Sequence, residues 1–122
     1  MRVLVLADDL IWSTRLAAQV RASGAEAVAV RTSAAFRDDL AEAGGAVVDL
    51  TSRAYDGLAE ITAAREAGVA VLAVGQHDDH ELRRNAIAAG ADRVLAYRKL
   101  FEDGPATITR WLTEVHPTEI RP

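Results

Sequence analysis

A three-layer α/β sandwich around a five-stranded parallel sheet is the fold this sequence predicts. Three observations predict it: five short apolar runs without polar alternation, helix-periodic segments between them, and glycines where those segments end. Apolar runs that do not alternate are expected of strands covered on both faces. Five strands alternating with five helices close with right-handed crossovers. The usual solution is the flavodoxin-like strand order 2-1-3-4-5.

The elements are taken in chain order. Val3–Ala7 is the first strand, and a helix follows it in which Leu16 and Val20 recur at i, i+4 and Gly24 is the stop. Ala27–Val30 is the second strand. Phe36 and Leu40 mark the second helix, closed by Gly44-Gly45. Ala46–Leu50 is the third strand, followed by a helix carrying Leu58 and Ile61 and stopping at Gly68. Ala70–Val74 is the fourth strand, followed by an Ala-rich helix with Leu82 and Ala86 that ends at Gly90. Val94–Tyr97 is the fifth strand. Pro105 suits the first turn of the last helix, which carries Ile108, Leu112 and Val115. One domain, residues 1–115, accounts for the pattern. The segment 116–122 holds two prolines and is expected to be a loose tail.

Composition narrows the function classes. The chain has 122 residues, enough for one core and too few for two. Net charge is −4 and Lys99 is the only lysine, so no basic surface invites nucleic acid or an anionic membrane. With no cysteine, disulfides, thiolate metal sites and cysteine nucleophiles are excluded. The apolar N-terminal run stops at two acids and is too short for a signal peptide or membrane span, so a cytoplasmic location is expected.

In open parallel sheets, ligands sit at the carboxyl ends of the central strands. Strand one delivers Asp8 and Asp9 there, strand three Asp49, strand four Gly75-Gln76-His77, and strand five Tyr97-Arg98. Three neighbouring carboxylates repel when ionised, so a cation, a shared proton or a basic side chain must compensate. Mg2+ is the evident candidate, since it takes one or two carboxylates and keeps several waters. An acid after strand one can equally cap the first helix. His77 has two readings as well: it overhangs the acids, or it is a surface neighbour of His80 beside a helix capped by Asp78 or Asp79. Not all of Leu10-Ile11-Trp12 can face the sheet, so this stretch has two readings: part of it forms an exposed contact patch near the pocket, or it is simple core packing.

The runs VLVLADD and AVVDL, with GAD before the last strand, resemble the receiver domains of bacterial two-component response regulators. The resemblance spans about Met1 to Val115. It implies that Asp8 and Asp9 hold Mg2+, with the backbone carbonyl of Thr51 as a further ligand, and that Asp49 accepts a phosphoryl group from a histidine kinase. The departures are as informative. The family's Ser or Thr after strand four is Gly75 here, and its Lys-Pro pair after strand five is Tyr97-Arg98. The aromatic switch position falls on Val94. A neutral phenol cannot neutralise a phosphoryl group, and Arg98 lies one residue further along the chain.

The expected function is therefore a receiver-like signalling and interaction module, a pseudo-receiver not switched by phosphorylation in the usual way, and not an enzyme. One alternative is a working Mg2+-dependent phosphoacceptor on Asp49. Another is ligand binding or catalysis in the same pocket with His77. Expected partners are a kinase or output protein and a second copy of the chain, the dimer face containing Leu100, Phe101 and Trp111; the edge of the core is the other reading of Trp111.

Overall fold

The computed structural model describes residues 1–76 and 78–116. Five strands, β1 (Arg2–Leu6), β2 (Glu26–Val30), β3 (Gly45–Asp49), β4 (Ala70–Gly75) and β5 (Arg93–Ala96), form one sheet in the order β2-β1-β3-β4-β5. Every pairing is parallel. The helices are α1 (Leu10–Ala22), α2 (Ser33–Asp39) with a 3₁₀ turn at Leu40–Glu42, α3 (Gly57–Glu66), α4 (His80–Ala89) and α5 (Tyr97–Val115). Strand order and helix count are as the sequence predicts. Among the described residues, no helix is long and apolar enough to cross a membrane.

Alternate strand residues feed two cores. Leu4, Leu6, Val48 and Ala73 pack against Phe36, Ile61 and Ala86 beneath α2, α3 and α4. Val3, Val5, Val47 and Leu72 pack against Leu16, Val20, Leu100, Ile108 and Trp111 beneath α1 and α5. This two-sided burial is why β1, β3 and β4 are uninterrupted apolar runs. Gly24, Gly68 and Gly90 all have positive φ, as helix-ending glycines do.

Two local expectations are corrected. Gly44-Gly45 does not stop α2, which ends earlier in its 3₁₀ turn; Gly45 opens β3 beneath the Trp111 ring. A Cβ there would come within 2.8 Å of Trp111 Cη2, so residue 45 is small for packing. The last helix also starts sooner than Pro105 suggests, with Tyr97 as its first residue rather than the end of β5. The turn it adds is supported by i, i+4 pairs between Arg98 and Glu102 (2.9 Å) and between Lys99 and Asp103 (3.7 Å). The helix then kinks at Asp103 (φ −152°, ψ 30°). Pro105 supplies no N–H, and its ring crowds the preceding turn.

The early start of α5 turns Leu100 inward. Leu100 and Trp111 are buried in the α1–α5 core, so neither belongs to an outer dimer face as expected. Of that trio only Phe101 is exposed.

Candidate functional site

The parallel register brings the carboxyl ends of β1 and β3 side by side, with Leu6 opposite Val48. Asp8 and Asp9 follow β1, and Asp49 is the last residue of β3. With Trp12, Thr51, Ser52 and Arg53 they line one open cleft. The acids thus meet at one sheet edge. Among the described residues, however, no three His, Cys, Asp or Glu side chains converge closely enough to form a ready metal cluster.

Each acid is held differently. Asp9 is the N-cap of α1, its Oδ1 accepting from the Trp12 amide at 3.0 Å. Asp9 therefore caps α1 and also lines the cleft. Asp8 is tied through its backbone, whose carbonyl accepts from Arg31 Nε (3.2 Å) and Nη2 (2.9 Å). Asp49 is 1% exposed. Its Oδ1 accepts from the Thr51 amide (3.0 Å), the Thr51 hydroxyl (2.9 Å) and the Tyr97 hydroxyl. All three bonds end on Oδ1, so Oδ2 has no donor among the described residues. None of the three acids forms an ion pair among them either. Oxygen donors with uncompensated negative charge suit a hard cation such as Mg2+, which needs only one or two carboxylates besides water.

Tyr97 sets a neutral phenol against the Asp49 carboxylate. Burial first, and then the hydrogen bond to Asp49, raise its phenol well above the ordinary value. It donates to the carboxylate without cancelling its charge. The ring packs on Trp12, centroids 4.0 Å apart and tilted by 37°, and Trp12 lies 5.5 Å from Phe101.

The remaining sequence candidates fall elsewhere. Arg98 turns away from the cleft; its side chain is 86% exposed and paired with Glu102. Gly75 ends β4 and lines a separate small void with Leu50, Leu82 and Val94. A Cβ at Gly75 would touch only Leu50, at 3.7 Å, so there is room for a side chain. His77 lies outside the described residues, as do residues 117–122 of the expected tail.

Two features were not foreseen. Tyr55, buried beneath the cleft, reaches both the Leu6 carbonyl (3.0 Å) and the Asp49 carbonyl (2.6 Å) with its hydroxyl, bridging the ends of β1 and β3. Its position, six residues past the acid in a chain only 5% aromatic, was the one available signal. The second is the Thr51 side chain; the sequence pointed only to its backbone carbonyl.

Scanning against protein-family models finds no match, and no curated protein matches either. Solved structures do. The signal receiver domain of a putative LuxO repressor protein from Vibrio parahaemolyticus superposes with a TM-score of 0.81 at 15% identity, covering 98% of this chain and 95% of that one. The receiver domain of sensor histidine kinase PA1611 from Pseudomonas aeruginosa PAO1, with magnesium coordinated in its active-site cleft, gives 0.77 at 18% identity, covering 91% and 96%. A response regulator from Burkholderia pseudomallei with a phosphorylated aspartic acid, calcium and citrate gives 0.76 at 20% identity, covering 98% and 72%. At these identities the likeness establishes the fold: this chain has the receiver fold.

Proposed function

From the premise that the chain has a receiver fold, we propose that it is a signalling module that works by contact with other proteins, a kinase or an output protein. Its acid cleft is retained, and the usual phosphoryl-sensing positions are replaced. One observation carries this reading: the phenol bonded to Asp49 Oδ1 is Tyr97, a neutral donor, while residue 75 carries no hydroxyl. In this reading Asp8, Asp9, Asp49 and the Thr51 carbonyl would hold Mg2+. The bound cation would offset the repulsion of the acids, while Thr51 and Tyr97 orient Asp49. A phosphoryl mimic on Asp49 then meets neither a cation from residue 97 nor a hydroxyl from residue 75, so β4 and α4 have nothing to close upon.

Amide NMR during Mg2+ titration, with and without beryllium fluoride, tests the proposal. The expected result is a response at Asp8, Asp9 and Thr51, abolished by Asp49→Ala, with Gly75 and Gln76 unmoved by the mimic. Gly75→Ser, for which there is space, should extend the response into β4. A large shift at Gly75 and Gln76 of the unaltered chain would overturn the proposal.

A second reading, phosphate acceptance on Asp49, is favoured by Oδ2, which has no donor among the described residues. Oδ2 would attack phosphorus; the new O–P bond forms as the bond to the donor's leaving group breaks, and that group departs with the electron pair. Acetyl phosphate plus Mg2+ should then add one phosphoryl mass, lost in Asp49→Ala. No mass gain rejects this reading.

A further inference from the structure

We propose that Tyr97 relays the state of Asp49 to the outer surface of α1 and α5: its hydroxyl senses Oδ1, and its ring passes the change to Trp12. The inference rests on the reading of the cleft as a signalling site and adds the route by which a signal leaves it.

The Tyr97 hydroxyl, the Thr51 hydroxyl and Asp49 Oδ1 form a closed triangle. Thr51 Oγ1 lies 2.7 Å from the Tyr97 oxygen and 2.9 Å from Oδ1, and Tyr97 donates to Oδ1. Two hydroxyl hydrogens serve three contacts, so their arrangement depends on how strongly Oδ1 accepts. A cation or phosphoryl mimic at Oδ2 withdraws electron density from the carboxylate and weakens Oδ1 as an acceptor. The Tyr97 hydrogen then turns towards Thr51.

The ring has little freedom to follow independently. Tyr97 is 8% exposed and lies against Trp12. Arg15 spans the next contact, its guanidinium carbon 5.7 Å from the Trp12 ring centre and 5.6 Å from that of Phe101. Movement of the phenol is thereby passed to Trp12 and on to Phe101, which is 46% exposed, beside the start of α1, where Leu10 and Ile11 are 65% and 62% exposed. The apolar start of α1, anomalous in the sequence, is where the route reaches solvent.

The test is Trp12 emission on adding Mg2+ and beryllium fluoride to the full chain and to Tyr97→Phe, which keeps the ring and removes the hydroxyl. Adduct formation is followed separately by 19F NMR, and the fold by circular dichroism. Trp12→Phe subtracts the contribution of buried Trp111. The expected result is an adduct in both proteins and an emission change in the unaltered chain alone. An adduct with equal emission changes in both overturns the relay and leaves the cleft reading standing. No adduct in the unaltered chain overturns the relay alone, whereas no amide response to Mg2+ at Asp8, Asp9 and Thr51 overturns the cleft reading and the relay with it.

Discussion

At the scale of single residues, Tyr97 and Tyr55 are the two phenols set against Asp49, one on its carboxylate and one on its backbone carbonyl. Both phenols are buried at the carboxyl edge of the sheet, and both are raised above their ordinary value of 10.0, in each case first by burial and then by Asp49, through its charge at Tyr55 and chiefly through a hydrogen bond at Tyr97. The folded state keeps their protons while the unfolded chain loses them near pH 10.0. Their contribution to stability is therefore fully present below that pH and declines as pH rises through it. The expected loss is at most about 1.4 kcal/mol per pH unit for each tyrosine. Urea midpoints measured across the alkaline range should fall in the unaltered chain and fall less steeply in Tyr97→Phe. Neither role was legible locally: position 97 could be read as a departure from the receiver pattern, but its hydrogen-bond partner is 48 residues away.

At the scale of elements, acids cap three of the five described helices where these leave the functional edge, while Thr32 caps α2 and no side chain caps α5. Asp9, Asp56 and Asp79 cap α1, α3 and α4 with side-chain oxygens. Asp56 is the cleanest case, accepting from Leu58 N at 3.1 Å and Ala59 N at 3.3 Å without lining the acid cleft. Asp56→Ala should cost about 1 kcal/mol, read as a lowered urea midpoint with unchanged Mg2+ affinity. The helices and their glycine ends were legible because capping and periodicity are local properties. The start of α5 was not. Apolar Val94, Leu95 and Tyr97 continue a strand pattern on paper, while the helical turn at Tyr97 pays off only once Leu100 enters the core under α1. Glu60 is similar: 2% exposed on α3, it accepts from Arg37 at 2.9 Å and bonds Ser33, joining α2 to α3 in a way no spacing announces.

The whole molecule is a sheet with two cores, and its largest fully buried side chain is Trp111. That ring closes the α1–α5 face over β3, with Gly45 directly beneath it. Trp111→Ala should destabilise the entire module by about 3–5 kcal/mol, measured by chemical denaturation, whereas the same change at half-exposed Phe101 should cost far less. By itself the sequence determined the fold class, the strand order and the meeting of Asp8, Asp9 and Asp49 at one edge, because burial on two faces, helix periodicity and chain connectivity are written along the chain. Only the tertiary structure decided which oxygen of Asp49 is left open, that Tyr97 rather than Arg98 faces it, and that Leu100 and Trp111 lie inside. Those outcomes depend on side-chain direction at contacts between residues far apart in sequence, which no local pattern encodes.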